Sequence, residues 1–273
     1  MGIIIITSIA SAHEFWLHPQ KYFYTIRETA NIRFSVGENF EGENWKGNKD
    51  KIAQLAYFTP SGNVVDIAKR LSGNMGDSIQ LPLQEEGTHM VIFNSTNSFI
   101  KLDADKFNAY LKEDGHDATS RYRKDQGEEK KAGTEHYQRS VKTILQVSDK
   151  LTNACTEATS LPLDIIPAEN PYSMPDPSTN KKIMVRFRVL FQGDPLPNAL
   201  VKAWYNIPGK GPGMDSVRTN KKGWVSLERH PGRYMVSCVH MEPAAKDGEA
   251  DWQSFWGSLT FEYSHYYTRK DGK

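Results

Sequence analysis

Apolar and polar residues alternate along much of the chain, which is the pattern of half-buried β-strands. In "ANIRFSVGENF", Ile32, Phe34 and Val36 alternate with polar residues, and this period of two predicts a strand with one buried face. "KIAQLAYFTPSGNVVDI" predicts two strands joined at a turn that contains a proline and a glycine. In the second half, "KIMVRFRVLF" repeats the alternation. Evenly spaced short strands with Gly and Pro turns are typical of β-sandwiches.

One segment departs from this pattern. "DADKFNAYLKEDG" starts with acidic residues, places Phe107, Tyr110 and Leu111 at helical spacing and ends at Gly115, so it predicts a short amphipathic helix. The mixed charges of "SRYRKDQGEEKKAG" that follow indicate a solvated helix or loop.

The fold class is therefore mainly β: two β-sandwich domains of immunoglobulin-like type, with a short helical insertion at the end of the first. The prediction divides the chain into a truncated signal peptide at 1–12, an N-terminal sandwich at 13–160 with its helical insert at about 103–140, a proline-rich linker and first strand at 161–182, and a C-terminal sandwich at 183–268.

The first twelve residues predict export. An apolar run from Ile3 to Ile9 leads into Ala10-Ser11-Ala12, the small-x-small pattern that signal peptidase requires. The basic residue that normally precedes such a run is missing. The alternative is a buried first strand, which four consecutive isoleucines also favour. If cleavage follows Ala12, His13 becomes the amino terminus, and we expect a periplasmic or secreted protein.

Composition narrows the partners. The 273 residues contain 34 Lys plus Arg and 33 Asp plus Glu, so no excess charge points to nucleic acid. No further apolar stretch approaches the roughly 20 residues that a membrane helix needs. Cys155 and Cys238 are the two cysteines, and they either form one disulfide or remain separate buried thiols.

Candidate chemistry concentrates on histidine. A terminal His13 would offer an α-amine and an imidazole to one transition metal. In "RYMVSCVHM", His240 continues a row of inward-facing residues on one strand face, where an imidazole must be hydrogen-bonded or bind a ligand. Glu38 of "VGENF" is the candidate oxygen donor. We therefore expect a metal site made of His13, His240 and Glu38. His18 is expected on the opposite strand face from His13. The other histidines lie in polar or turn contexts and are expected to be surface or hydrogen-bonding residues; they are His89, His116, His136, His230 and His265.

Motifs of common enzymes do not occur. The chain has no glycine-rich phosphate loop, no G-x-S-x-G elbow, no H-E-x-x-H and no paired C-x-x-C. We expect a protein that is not an enzyme, with no catalytic residues.

Several segments resemble the domain-of-unknown-function family 4198. They are "AHEFWLHP", "VGENF", "HYQRSVKTILQV", "LPLDIIPAENPY", "GRYMVSCVHM" and "ADWQSFWGSLTFE", in that order along the chain. The family's initial His-acid-Phe-Trp pattern falls on residues 13–16 and its Val-His-Met pattern on residues 239–241. The resemblance implies export, a β-rich fold and an alliance with the NikM-type component of nickel and cobalt uptake. The second half also resembles transthyretin-like modules of carboxypeptidases.

Three functions follow as hypotheses. The first is an exported protein that binds nickel or cobalt, or else copper, for metal uptake or buffering, with a membrane metal transporter as partner. The second is a non-catalytic interaction module that binds a polymer or partner protein through Trp16, Trp45, Trp252 and Trp256. The third is an oxidative copper enzyme with a terminal histidine, which needs a second histidine nearby.

Overall fold

Three β-sheets build the part of the protein that the structure describes. The computed structural model describes residues 13–46, 49–72, 77–173, 183–245 and 248–263. The predicted signal peptide at 1–12, and the alternative strand there, lie outside these residues, as do 174–182 and 264–268 of the predicted domains.

The N-terminal sheet has five strands in the order β1-β3-β8-β7, with β4 paired to β3. Its strands are β1 (Glu14–Pro19), β3 (Thr29–Glu38), β4 (Glu41–Asn44), β7 (Leu71–Ser72) and β8 (Ser78–Pro82). In β3, alternate residues from Ala30 to Phe34 are buried, as the alternation in the sequence predicts, whereas beyond Phe34 the polar Ser35 is buried and Val36 is only partly buried.

The central sheet has ten strands in the order β16-β15-β18-β19-β11-β9-β5-β6, with β2 and β10 paired to β11. Its strands are β2 (Phe23–Tyr24), β5 (Ile52–Phe58), β6 (Val64–Asp66), β9 (Gly87–Ser95), β10 (Ser98–Leu102), β11 (Gly133–Val147), β15 (Leu200–Ile207), β16 (Gly211–Arg218), β18 (Gly232–Pro243) and β19 (Trp252–Tyr263). The C-terminal sheet contains β12 (Leu163–Pro167), β13 (Met184–Phe191), β14 (Asp194–Pro195) and β17 (Trp224–Glu228).

The helical insertion forms between β10 and β11. Helix α1 spans Ala104–Glu113 and α2 spans Asp117–Asp125. The buried residues of α1 are Phe107, Tyr110 and Leu111, the three that the sequence places on its apolar face. Gly115 has a φ of 71° between the two helices, a conformation that glycine adopts without steric cost.

The two faces of the central sheet carry different cores. On β9, Met90 and Ile92 belong to the core beneath the C-terminal sheet, whereas Val91 and Phe93 belong to the core beneath the N-terminal sheet. Successive side chains of a strand point to opposite faces. The N-terminal and C-terminal sheets therefore pack on opposite faces of the central sheet, which makes the fold a mainly β, layered sandwich.

The central sheet also connects the two halves of the chain. Strand β11 pairs in parallel with β19, for example Val141 with Ser258. The segment at 161–182, expected to hold a linker and a first strand, contains β12, which pairs with β13. Strands from both sides of that segment thus share one sheet.

Helices able to cross a membrane are absent from the part of the chain that the structure describes.

Candidate metal centre

The register between β1 and β3 brings the first histidine to a glutamate. Glu14 pairs with Gly37, so His13, the residue before it, lies beside Glu38. His13 Nδ1 is 3.7 Å from Glu38 Oε1, with the side chains 43% and 49% exposed. Two of the three predicted ligands are therefore adjacent and open to solvent.

A tight hairpin fixes Glu38. Asn39 and Phe40, with φ values of 52° and 64°, form a two-residue turn between Glu38 and Glu41, the geometry of a type I′ hairpin. A Cβ on Gly37 would lie 2.1 Å from the Glu41 carbonyl oxygen. Only glycine permits this close approach of the two strands, so the hairpin backbone is narrowly determined.

A buried carboxyl group anchors the start of β1. Glu14 Oε1 accepts a hydrogen bond of 2.9 Å from Ser237 Oγ on β18. Burial, reinforced by the charge of Asp114, raises the pKa of Glu14 to about 7, and Lys202 opposes the shift. The next inward side chain, Trp16, is fully buried and packs on Phe40 of the hairpin and on Met235 of β18.

The backbone of β1 is held as well. Ser258 Oγ donates a hydrogen bond of 2.6 Å to the Phe15 carbonyl oxygen, and Thr260 Oγ1 donates one of 2.9 Å to that of Leu17. Because β1 is the outer strand of its sheet, these hydroxyls of β19 satisfy carbonyl groups that have no neighbouring strand. The segment that follows His13 is thus fixed on the central sheet.

His240 lies elsewhere. It continues the row of Val236 and Cys238, which belong to the core beneath the C-terminal sheet, and its ring contacts Phe191 of that sheet at a centroid distance of 4.3 Å. Its Nε2 is 3.8 Å from Glu242 Oε2. The row was predicted correctly, but β1 covers the other face of the central sheet.

The expected three-ligand site is therefore not assembled. Among the described residues there is no group of three or more His, Cys, Asp or Glu side chains that could hold a metal ion. His13 and Glu38 lie next to β1, on the face of the central sheet that Met235 and Ser237 of β18 share, whereas the row of His240 faces the C-terminal sheet. Both cysteines are free and buried.

Two histidines are more deeply buried than their sequence context indicates. His89 is hydrogen-bonded through Nε2 to the Glu85 carbonyl oxygen at 2.9 Å. His116 lies between the helices, where burial lowers its pKa to about 4, and its Nε2 has no hydrogen-bond partner among the described residues. His18 is half-buried, and burial together with Arg233 lowers its pKa to about 4.

Sequence reasoning also missed a set of buried charges beneath α1. Lys202 Nζ forms an ion pair of 2.6 Å with Asp114 Oδ1. Glu135 Oε1 accepts a hydrogen bond of 2.7 Å from Ser254 Oγ, and burial raises the pKa of Glu135 to about 7. These residues come from β15, the end of α1, β11 and β19, so no local motif reveals them.

The tryptophans expected to form a binding surface are packed instead. Trp16, Trp252 and Trp256 are buried. Trp45 is partly buried and packs against Phe15 at a centroid distance of 5.6 Å. In the structure these rings contribute to cores and do not form an exposed platform.

A known family model matches most of the strands described above. The model of the domain of unknown function DUF4198 matches residues 10–242. The chain belongs to the DUF4198 family. The match includes β1 and all of β18 except its last residue, as the resemblance of their motifs implied. None of the curated proteins matches this DUF4198 chain.

Solved structures show only distant similarity to the DUF4198 chain. The D0-D1 domain of intimin is 11% identical, with 90% of this chain and 97% of that chain covered, at a TM-score of 0.21. A DUF4785 family protein from Legionella pneumophila is 8% identical, with 81% and 52% covered, at 0.26. Escherichia coli alpha-2-macroglobulin is 11% identical, with 93% and 20% covered, at 0.23. The chain thus spans about half of the second and a fifth of the third.

Proposed function

We propose that this DUF4198 protein is exported and captures a divalent transition metal at the amino terminus created by cleavage after Ala12. The metal is nickel or cobalt first and copper next, taken up or buffered as cargo, with a membrane metal transporter as the partner that receives it. The observation that carries the proposal is the 3.7 Å separation of His13 Nδ1 and Glu38 Oε1.

This separation suits one shared ion. Donor atoms that each lie about 2.1 Å from a metal are at most about 4.2 Å apart. Nδ1 is also the imidazole nitrogen nearest to the residue's own α-amine, so a terminal His13 forms a chelate through these two nitrogens. Glu38 adds an oxygen donor, and a set of nitrogen and oxygen donors suits Ni²⁺ and Cu²⁺.

The anchoring of β1 supports the same assignment. Glu14, Trp16 and the carbonyl groups of Phe15 and Leu17 fix the strand directly after His13. A ligand held by a rigid strand loses little conformational entropy when a metal binds. We also propose that the family is linked to NikM-type uptake components. The second half of the chain, in this proposal, is a transthyretin-like module.

Metal titration of the processed protein tests it. Purified protein that begins at His13 is titrated with Ni²⁺, Co²⁺ and Cu²⁺ by calorimetry. Glu38→Gln is expected to weaken metal binding at least about tenfold. Loss of a residue that only supports a ligand typically lowers metal affinity about 10–100-fold, and loss of the ligand itself should lower it at least as much. The matched control is Glu41→Gln, since Glu41 pairs with Glu38 across the same hairpin and is exposed.

The result separates the hypotheses. Binding that depends on Glu38 and not on Glu41 supports the metal proposal. No heat with any of the three metals contradicts it and leaves the interaction module as the better hypothesis.

A further inference from the structure

A buried lysine and a buried aspartate meet between two sheets. Lys142 of β11 and Asp164 of β12 form an ion pair through Nζ and Oδ1, with side chains only 1% and 2% exposed. Neighbouring residues on the two strands, Ile144 and Leu163, belong to the large apolar core. The pair plays no part in the proposed metal site.

Two charges in such a place are costly. Removal of an ammonium and a carboxylate from water carries a desolvation penalty that their mutual attraction only partly offsets. Transfer of one proton from Lys142 to Asp164 replaces the two charges by a neutral amine and a neutral carboxylic acid. A neutral amine is a nucleophile, and a neutral carboxylic acid can be attacked at its carbonyl carbon.

Thr159 prepares the carboxyl group for this attack. Its backbone N–H donates a hydrogen bond of 2.7 Å to Asp164 Oδ2, and its Oγ1 donates one of 3.1 Å to the same oxygen. Both donors face the oxygen on which negative charge develops when a nucleophile adds to the carbon, which is the arrangement of an oxyanion hole. Oδ1, the oxygen that faces the amine, is then the leaving group.

The structure thus assigns Lys142 and Asp164 as the two partners of an intramolecular isopeptide bond. Nζ attacks Cγ of the protonated Asp164, a C–N bond forms and the C–Oδ1 bond breaks. The hydroxyl group of Oδ1 leaves with one proton from Nζ as a water molecule, so the amine and the acid become an amide and water with no oxidant or reductant. The bond joins the central sheet to the C-terminal sheet.

The surroundings leave both partners available. The Cys155 thiol lies near Lys142. Burial raises the pKa of this thiol to about 12, so it is neutral and does not form an ion pair with the lysine. The protein also contains an internal control. Lys202 and Asp114 are a second buried pair of the same residue types, but among the described residues no pair of donors like that of Thr159 faces the Asp114 carboxyl group.

Peptide mass spectrometry of the full-length purified protein tests the assignment. Trypsin cleaves after free lysine but not after a lysine acylated at Nζ. We expect residues 140–150, uncleaved after Lys142, to be recovered in covalent linkage to residues 151–181, which contain Asp164. The linked peptide should be lighter by one water molecule than the sum of its parts. No linkage is expected between Lys202 and Asp114.

A variant confirms the chemistry. Lys142→Arg keeps a cation beside Asp164 and removes the amine, so the linked peptide and the loss of water should both disappear. Because the test on the unchanged protein stands alone, it does not depend on the folding of this variant. Recovery of Lys142 and Asp164 in separate peptides in most molecules, with cleavage after Lys142, overturns the proposal.

Discussion

Ser237 Oγ donates a hydrogen bond of 2.9 Å to Glu14 Oε1, although 223 positions separate the two residues in the chain. Trp204 Nε1 donates to the same Ser237 oxygen at 3.0 Å. One small hydroxyl group therefore connects β1 with β15 and β18 and sets the position of the strand that begins after His13.

Ser237→Ala is expected to destabilise the protein by about 1–3 kcal/mol, because it removes a hydrogen bond from a buried carboxyl group and the acceptor of the Trp204 indole. Urea unfolding followed by tryptophan fluorescence measures the change. The control is Ser216→Ala on β16, where the serine is exposed, and it should change stability by less than about 0.5 kcal/mol. Equal stability of the two variants would show that Ser237 does not anchor β1.

Glu135 should make stability depend on pH. Burial raises its pKa from 4.5 to about 7, so the folded protein binds a proton that the unfolded chain releases between these values. This group's contribution to stability is complete below about pH 4.5 and is lost as the pH rises past 7.

Glu135→Gln removes that titration. The quantity to compare is the unfolding free energy of the variant minus that of the unchanged protein. This difference should be more favourable to the variant at pH 8 than at pH 5, by on the order of 1–3 kcal/mol. Urea unfolding at both values measures it. Glu129→Gln, at an exposed position, should show no such difference. If the effect of Glu135→Gln is the same at both pH values, Glu135 does not carry the excess proton.

Trp16 should behave as a core residue. The side chain is fully buried, so Trp16→Ala is expected to cost about 3–5 kcal/mol of unfolding free energy. Phe99→Ala, at a ring that is 44% exposed, should cost much less. Thermal unfolding of both variants checks this, and a loss of stability no larger for Trp16→Ala than for Phe99→Ala would contradict the packing described.

Strand phase could be predicted from the sequence, but the pairing of strands could not. Alternation correctly placed His240 on the face of β18 that carries Val236 and Cys238, since its ring contacts Phe191 of the C-terminal sheet. It contains no information on which face of that sheet β1 covers, and this choice separates His240 from His13. Glu38 was predicted only as the oxygen donor of the "VGENF" motif, and its place beside His13 follows from the register between β1 and β3, which the sequence pattern does not contain.

The buried charges could not be predicted for a related reason. Glu14 sits between a histidine and two aromatic residues in the sequence, with no local sign that it is buried. Its partners, Ser237 and Lys202, lie on strands from the other half of the chain. Likewise, an aromatic residue in an alternating strand suits a core and a binding surface equally, and only tertiary packing decides between them for Trp16.

Export can be tested at the amino terminus itself. Protein recovered from the cell envelope should give the amino-terminal sequence His-Glu-Phe-Trp, which corresponds to cleavage after Ala12. Edman degradation reads these residues directly. If the protein is found in the cytoplasmic fraction with Met1 retained, His13 has no terminal amine and the proposed metal site loses one of its donors.

The most direct test of the metal site compares two forms of the same protein that differ only in the residues before His13. Calorimetric titration with Ni²⁺ is carried out on the chain that begins at His13 and on the unprocessed chain that begins at Met1. The account predicts binding at least about tenfold tighter, or about 1.4 kcal/mol, for the processed chain, because only that form offers an α-amine beside His13 Nδ1 and Glu38. Equal affinity of the two forms would contradict it.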